Sequence, residues 1–216
     1  MKNLPELVPE LIANIYKRLE VLFGTDEIML LGGAAIKISS NPSRHINDID
    51  VALFPKKLYG IDSRLIEELG FQSVKRGYKL TSLIDKKSGI KIEVSAKSYQ
   101  KLNKSLGIKN FNGKNPTILG LGLREVIQDS KVIKVGDVII HIPSGLDQIL
   151  MKYNLWLLRG EGKTKNQKDA EDIRKLVAFY YKDVENLLVV EKARMQQKCK
   201  VKSISDFQKD MEVICK

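Results

Sequence analysis

Two aspartates separated by one residue are the part of this 216-residue chain best suited to metal chemistry. Asp48 and Asp50 begin the run 48–54, in which Ile49, Val51 and Leu53 alternate with them in the pattern of a strand with one apolar face. Residues two apart on a strand point to the same side, so the two carboxylates would lie next to each other. A divalent cation would relieve their repulsion, and Mg²⁺ prefers carboxylate and phosphate oxygens.

A third carboxylate on a neighbouring strand would complete a site for two Mg²⁺ ions, or for Mn²⁺ in their place. Glu93 is the first candidate because it lies between Ile92 and Val94 in an apolar strand, where a buried carboxylate needs a partner. The alternative for Glu93 is a solvent-facing position on an edge strand. Asp85 is the other candidate, in the polar turn that precedes this strand.

A pair of glycines, Gly32-Gly33, lies between the apolar strand predicted over 27–31 and a short helix predicted over 34–40. Because glycine has no Cβ atom, the backbone there can approach a phosphate closely, and the amides of a helix N-terminus favour anions. A plain tight turn would also explain the two glycines. The order of strand, Gly-Gly, helix, loop and Asp-x-Asp strand favours a phosphate and metal site.

This order resembles the signature of the nucleotidyltransferase superfamily of the DNA polymerase β type. Leu31-Gly32-Gly33 and Asp48-Ile49-Asp50-Val51 carry the resemblance. Arg44, four residues before Asp48, resembles the arginine of the AbiEii-like toxin nucleotidyltransferases, with Ile46 at the position where that branch usually has Thr. Ile90-Lys91-Ile92-Glu93 is similar to the carboxylate-bearing second motif of the same branch.

Two later segments resemble the third and fourth motifs of that branch, so that the resemblance spans residues 30–172. Lys152 is followed seven residues later by Arg159, which places both on one face of a predicted helix. The run Lys168-Asp169-Ala170-Glu171-Asp172 places Asp169 and Asp172 on one helix face as well. We expect the two cations to contact the nucleotide phosphates. The two aspartates are expected either to hold Lys152 or Arg159 in place or to bind the base or ribose, and a surface ion-pair cluster is the alternative.

The resemblance implies a Mg²⁺-dependent nucleotidyltransferase that moves a nucleoside monophosphate from an NTP, such as ATP, to an acceptor hydroxyl. It implies catalytic metal ligands at Asp48, Asp50 and Glu93. It implies nucleotide-binding residues at Gly32, Gly33, Arg44, Lys152, Arg159, Lys168, Asp169 and Asp172. The alternative function is a nucleotide-binding or kinase-like regulatory protein of the same fold that performs no transfer.

The acceptor is predicted from charge together with this resemblance. A formal net charge of +11 raises the affinity of a protein for polyanions, although a lysine-rich surface is also common without such a partner. The basic segment 99–115, with lysines at 101, 104, 109 and 114, is predicted to be an exposed loop. RNA, and tRNA in particular, is the first expected acceptor, followed by a protein hydroxyl and an aminoglycoside-like small molecule. The toxin branch also implies an antitoxin protein as a partner.

The pattern of apolar residues predicts an α/β (α+β) fold in two parts. Residues 1–142 are expected to form a mixed-sheet nucleotidyltransferase core, with helices over 4–22 and 62–69, strands over 71–75, 78–84 and 90–96, and a hairpin around Gly136-Asp137. Residues 143–216 are expected to form a C-terminal helical bundle, with Ser144 as an N-cap.

The chain has no apolar run near the roughly 20 residues that a membrane span needs. Its N-terminus lacks the apolar block of a secretory signal, and its two cysteines do not suggest a disulfide scaffold. These observations predict a cytoplasmic protein without a membrane partner.

Overall fold

The computed structural model describes residues 6–24, 28–41, 43–53, 61–76, 79–95, 117–118, 121–159, 164–198 and 203–215. The chain divides into two compact units, Met1–Ala96 with Lys131–Ile142, and Lys97–Ser130 with Pro143–Lys216. The predicted boundary after residue 142 coincides with one junction between these units. The described part of Lys97–Ser130 groups with the second unit, although the sequence-based division places it in the first half.

The first unit is built on a five-stranded mixed sheet in the order β1-β2-β5-β4-β3. Strand β1 (Ile28–Leu31) pairs antiparallel with β2 (Asp48–Leu53), and β2 pairs in parallel with β5 (Lys91–Ser95). Strands β3 (Phe71–Arg76) and β4 (Lys79–Asp85) continue the sheet in antiparallel pairing, and β4 and β5 form the predicted hairpin.

Three helices belong to this sheet unit over its described residues. Helix α1 (Pro9–Phe23) buries Ile12, Ile15 and Leu19 in the core, and these residues follow the predicted helical spacing. Helix α2 (Gly32–Ser39) follows β1 directly and begins at the glycine pair. Helix α3 (Ser63–Glu68) has the predicted N-cap, because the side chain of Asp62 accepts a hydrogen bond from the backbone N–H of Arg64.

A two-stranded hairpin of β8 (Lys131–Val135) and β9 (Val138–Ile142) completes the first unit. The buried residues Ile140 and Ile142 belong to the same apolar core as helix α1. The hydroxyl of Tyr16 accepts a hydrogen bond from the backbone N–H of His141 and donates one to the carbonyl of Ile28. This buried tyrosine therefore ties α1 to two separate strands.

The second unit is mainly helical in its described part. It contains α4 (Leu123–Gln128), α5 (Gly145–Arg159), α6 (Thr164–Tyr180), α7 (Val184–Lys198) and α8 (Ile204–Ile214), with a short hairpin of β6 (Thr117–Ile118) and β7 (Leu121–Gly122). Helices α5 and α6 pack against each other. Tyr153 of α5 lies edge-to-face against Phe207 of α8 with ring centroids 4.7 Å apart, and its hydroxyl donates to Asp210.

A fully buried carboxylate lies in the first turn of α5. Ser144 is the predicted N-cap: its hydroxyl accepts from the backbone N–H of Asp147 and donates to the carboxylate of Asp147. Burial raises the pKa of Asp147 even though Lys198 donates to it at 2.7 Å. Lys198 also lies 2.6 Å from Asp129, so one ammonium connects two carboxylates from different elements.

The fold class predicted from the sequence is confirmed as a mixed α/β architecture with a five-stranded mixed sheet. The sequence pattern missed helix α4 and the two-residue strands β6 and β7. A helix of less than two turns and a strand of two residues are too short for a periodic pattern of apolar residues to be recognised. The basic segment 99–115 lies outside the described residues. Over the described ranges, no helix is long and apolar enough to cross a bilayer.

Asp85→Asn is expected to lower the free energy of unfolding by about 2 kcal/mol. Asp85 is buried and accepts hydrogen bonds from Arg18 at 2.8 Å and from the backbone N–H of Ser88 at 3.0 Å. Burial raises the pKa of Asp85, but the hydrogen bonds from Ser88 and Arg18 outweigh it and hold the pKa below 3.8. The stabilisation is therefore complete above this value and is lost as the pH falls through the lower folded-state pKa.

Urea unfolding at neutral pH and below the ordinary carboxyl pKa measures this contribution. The wild-type protein should lose more stability on acidification than the Asp85→Asn variant. Asp137→Asn, in the exposed β8–β9 turn, is the matched control and should change stability by less than about 0.5 kcal/mol. Equal acid sensitivity of the wild type and Asp85→Asn would contradict the prediction.

Candidate active site

The parallel pairing of β2 with β5 brings the three predicted carboxylates onto one face of the sheet. Asp50 is the register partner of Glu93, and Asp48 is the partner of Lys91. The residues between them, Ile49 on β2 and Ile92 on β5, are buried on the other face. The alternation of the two strands therefore presents Asp48, Asp50, Lys91 and Glu93 on the more exposed side. Glu93 lies on an inner strand, not on the edge strand of the alternative interpretation.

Gly32 lies directly against the carboxylate of Asp50. A Cβ atom built on Gly32 would be 2.3 Å from Oδ2 of Asp50, a distance that no side chain could accept. The residue also has a φ of 58°, in the left-handed region that favours glycine. Two independent requirements thus call for glycine at this position, and both follow from the sharp connection between β1 and α2. The Asp50 carboxylate consequently lies at the N-terminus of helix α2.

Gly33 makes room for the loop that carries Arg44. A Cβ atom on Gly33 would lie 2.7 Å from Cγ2 of Ile46, and 3.2 Å and 3.3 Å from Nε and Nη2 of Arg44. The guanidinium of Arg44 is therefore adjacent to the start of α2, and its nucleotide-binding role stays a prediction. Ile46 is buried at this contact, so the residue found in place of the usual Thr serves in packing.

Lys37 of α2 holds the backbone of the same loop. Its ammonium is buried and donates to the carbonyl of Arg44 at 2.9 Å, and it lies 3.5 Å from the carboxylate of Glu6. The Arg44 side chain therefore lies beside the first turn of α2, and its carbonyl is bound by Lys37 from the second turn. The sequence analysis missed Lys37; its signal is a single lysine within the apolar run Ala34-Ala35-Ile36-Lys37-Ile38.

Lys91 is the second residue that the sequence analysis missed. Its ammonium forms an ion pair and hydrogen bond with the carboxylate of Glu93, two residues along the same face of β5. The hydrogen bond and charge of Glu93, followed by the charges of Asp48 and Asp50, raise the pKa of Lys91 above its ordinary value. The signal in the sequence is the alternation itself, which places Lys91 on the face of Glu93.

The donor set of this face suits Mg²⁺, because it offers three carboxylates in register on adjacent strands. Among the described residues, however, no three acidic, histidine or cysteine side chains converge as a metal site would require. The carboxylate of Glu93 is paired with Lys91 of its own strand. Glu93 is the register partner of Asp50, and the metal-ligand role of the three carboxylates stays a prediction.

Asp85, the other candidate for the third carboxylate, belongs to a different cluster. It lies at the end of β4 and pairs with Arg18 of α1, whose guanidinium also covers the ring of Phe71 at 4.6 Å. These contacts account for its burial. The carboxylate therefore serves to join α1 to the β3–β4 pair.

The predicted nucleotide-binding residues of the second unit form a buried ion cluster. Lys152 lies 3.1 Å from Asp169 and 2.8 Å from Asp172, and Arg159 also pairs with Asp169. Asp169 and Asp172 are buried, whereas Lys168 is exposed on α6. The helix spacing thus brings four of the five residues together as expected, with two positive and two negative charges. Their role in nucleotide binding stays a prediction.

Comparisons with known proteins support the fold. No protein-family model matches the sequence, and no curated protein matches it. The chain is similar to the crystal structure of an antigenic nucleotidyltransferase-like protein from Paracoccidioides brasiliensis, with a TM-score of 0.50 and 12% sequence identity. The similarity covers 89% of this chain and 91% of that chain. Likeness at this identity concerns the fold alone, and it shows that this chain has a nucleotidyltransferase-like fold.

Gly32→Ala is expected to destabilise the protein more than Gly136→Ala, by at least about 1 kcal/mol. Both glycines have a φ of 58°, so both substitutions introduce the same left-handed strain. A Cβ atom on Gly136 would meet nothing within 4 Å, whereas one on Gly32 would collide with Asp50. The additional loss of stability in Gly32→Ala, compared with Gly136→Ala, therefore measures the contact between Gly32 and the Asp50 carboxylate.

Parallel denaturant unfolding of the two variants gives the difference. Adding Asp50→Ala to Gly32→Ala should recover most of the excess, because the obstructing carboxylate is then absent. Equal losses in the two glycine variants, or no recovery in the double variant, would show that Gly32 is not in contact with Asp50.

Proposed function

We propose that this protein is a metal-dependent nucleotidyltransferase that transfers a nucleoside monophosphate from an NTP to an acceptor hydroxyl. One observation carries the proposal. The carboxylates of Asp48, Asp50 and Glu93 lie on one face of the sheet, and the glycine backbone at the N-terminus of α2 lies against Asp50. Metal ligands and a phosphate-binding turn thus occupy the same place. The nucleotidyltransferase-like fold of the chain agrees with this assignment.

Asp48 and Asp50 would hold the metal ions, and Glu93 would ligate one of them after leaving Lys91. Bound Mg²⁺ supplies charge stabilisation to both the entering and the leaving oxygen of an in-line attack on the α-phosphate. The three carboxylates contribute the negative charge that retains such ions. Glu93 is the best placed of them to accept the proton of the acceptor hydroxyl, because it borders the aspartates from the adjacent strand.

The glycine pair and Arg44 would bind the triphosphate. Leu31 occupies the N-cap of α2 and contributes no side-chain hydrogen bond. Backbone amides at a helix N-terminus favour anions such as phosphate. Arg44 beside Gly33 adds a guanidinium that can contact phosphate with two N–H groups. The buried ammonium of Lys37 would keep this loop in place during turnover.

Arg159 is the residue of the second-unit cluster most suited to a phosphate, since its side chain is 31% exposed while its partner Asp169 is buried. Lys168 is exposed on the same helical unit and would add a second positive charge. Lys152, Asp169 and Asp172 would then orient Arg159 through the ion pairs that they share. These assignments rest on the motif resemblance together with the observed cluster.

RNA is the acceptor class that we propose, with tRNA first, because the net charge of +11 favours a polyanion. The motif order of the AbiEii-like branch makes the toxin of a toxin–antitoxin pair the corresponding biological role. An antitoxin protein would then be a partner of this chain. The labelling experiment below would distinguish RNA from the other two candidate acceptors, a protein hydroxyl and an aminoglycoside-like molecule.

Asp48→Asn and Asp50→Asn are each expected to reduce NMP transfer at least about 100-fold, because each removes a charged metal ligand at the reacting phosphate. The measurement is incubation with labelled NTPs, Mg²⁺ and total RNA or lysate, followed by identification of the labelled product. Asp137→Asn makes the same chemical change in an exposed turn and should keep full activity. Thermal unfolding of all three variants checks that the fold is retained.

The released product distinguishes transfer from the alternative activities. Pyrophosphate is expected, whereas release of a nucleoside diphosphate would indicate kinase-like chemistry. Binding of an NTP with Mg²⁺ but without any labelled product would indicate a nucleotide-binding protein of this fold. Full activity in Asp50→Asn would show that the site is wrongly assigned.

The affinity for RNA is expected to fall at least about tenfold between roughly 50 and 200 mM salt, since lysine–phosphate contacts release counterions. Fluorescence anisotropy with labelled tRNA measures this dependence. Asp50→Asn should bind RNA with a similar salt slope, because the substitution leaves the positive charges in place. A flat salt response would favour an acceptor other than a nucleic acid.

A further inference from the structure

We propose that helix α6 carries the surface that binds a single-stranded segment of the RNA acceptor. Three lysines contact the RNA phosphates, and one phenylalanine ring stacks on a base. These residues, which we call the α6 stripe, are Lys168, Lys175, Phe179 and Lys182. The inference rests on the proposed function, because it takes RNA as the acceptor, and it adds the place at which that RNA is bound.

The stripe follows one side of α6. Lys168 and Lys175 are seven residues apart, so they lie on the same side of the helix and about 10 Å apart along its axis. Phe179 follows Lys175 by four residues and is its neighbour on that side. Lys182 comes two residues after the helix ends, and all four side chains are exposed. Because Lys168 directly precedes Asp169, the stripe begins beside the buried ion cluster of the second unit.

The ring of Phe179 is both exposed and held in place. Its side chain is 58% exposed, although phenylalanine is an apolar residue. The ring lies edge-to-face against Tyr180, with centroids 5.0 Å apart and planes at 89°. Tyr180 in turn packs on the backbone of Gly145, where a Cβ atom would be 2.7 Å from the tyrosine ring. Phe179 is therefore an oriented aromatic surface on which a base can stack with little cost of ordering.

The exposed side of α6 is basic. Among its described side chains, the exposed charged residues are Lys168, Arg174 and Lys175 against Glu171. Glu171 pairs with Lys175 at 2.7 Å, but these side chains are 55% and 46% exposed. An ion pair this accessible to solvent is weak, so a phosphate can replace Glu171 as the partner of Lys175. The charge of this side thus complements a polyanion.

The apolar residues of α6 distinguish a nucleic acid from a membrane surface. A helix that lies on a bilayer turns an apolar stripe toward the lipid. In α6 the apolar residues Ile173, Leu176 and Val177 are buried, and Phe179 is the one large apolar side chain that is exposed among those described on this helix. A single ring between lysines is suited to one unpaired base, whereas a bilayer or a protein partner needs a larger apolar area.

Phe179→Ala is expected to weaken the binding of a fluorescein-labelled oligouridylate of about 12 nucleotides at least about fivefold, because it removes the stacking surface. Phe179→Leu keeps an apolar side chain and should lose as much, whereas Phe179→Trp should bind at least as tightly as the wild type. Fluorescence anisotropy of the full chain measures these affinities, and thermal unfolding checks that each variant is folded.

An abasic oligomer of the same length is the matched control for stacking, since it has the phosphates but no bases. Phe179→Ala should bind it as the wild type does. Equal losses on the two oligomers would contradict the stacking of a base on Phe179.

Lys175→Gln and Lys182→Asn are each expected to weaken the binding of both oligomers at least about threefold and to lower the salt slope by roughly 0.7, because each removes one phosphate contact. Lys182 has a φ of 74°, in the left-handed region that asparagine tolerates, so the charge is lost without added strain. Glu171→Gln should tighten binding about twofold, because it releases Lys175 and removes a negative charge. Lys168 is left unchanged because the proposed function places it at the nucleotide.

Lys17→Gln removes an exposed lysine from α1 of the first unit and is the control for a general loss of charge. It should change either affinity by less than about 1.5-fold. An effect of Lys17→Gln as large as that of Lys175→Gln would show that RNA is held by overall charge and not by the stripe.

These measurements separate failure of the stripe from failure of the proposed function. If the wild type binds RNA and transfers NMP to it while the Phe179 and lysine variants bind equally well, the stripe is wrong and the transferase assignment stands. If the wild type binds no RNA, the stripe and the RNA acceptor both fail, and pyrophosphate release still tests the transfer itself. Binding to phosphatidylserine vesicles without binding to oligouridylate would assign the stripe to a membrane surface and overturn the proposal.

Discussion

The parallel pairing of β2 with β5 creates the constraint on which the candidate site depends, because it brings like charges together on one sheet face. Asp48 and Asp50 would repel each other on β2 alone, and the register adds Glu93 opposite Asp50. The fold can maintain this arrangement because the residues between them, Ile49 and Ile92, are buried in the core. Apolar packing on one side of the sheet thus offsets the repulsion between the carboxylates on the other side.

The loop between α2 and β2 holds Arg44 in a fixed position beside the N-terminus of α2. Absence of a Cβ atom at Gly33 leaves room for the Arg44 guanidinium, and Lys37 binds the Arg44 carbonyl from inside the core. A buried lysine is costly unless its charge is matched. The Glu6 carboxylate, 3.5 Å away, offsets the charge of Lys37, and the hydrogen bond from Lys37 to the carbonyl of Arg44 holds the loop.

Local pattern was enough to predict much of this architecture. The two-residue alternation of β2 and β5 and the cap at Asp62 each depend on neighbouring residues, and the structure confirms them. The glycine pair follows β1 as predicted, but α2 begins at Gly32 and not at Ala34. The local pattern of residues could not predict which segments far apart in the sequence contact each other. The register that joins Asp50 to Glu93, the burial of Asp85 against Arg18 and the contact of Lys37 with the loop all connect segments that only the folded chain brings together.

Two charged clusters in the protein differ in how far their charges are balanced. In the second unit, Lys152 and Arg159 face Asp169 and Asp172, so the positive and negative charges are equal and the two carboxylates are buried. The charges of this cluster are balanced by one another. The sheet face of the first unit holds three carboxylates and one ammonium in partly exposed positions. Because folding leaves that excess charge accessible to solvent, a cation from outside can lower its energy, and the carboxylate face is therefore where ligand chemistry is to be sought.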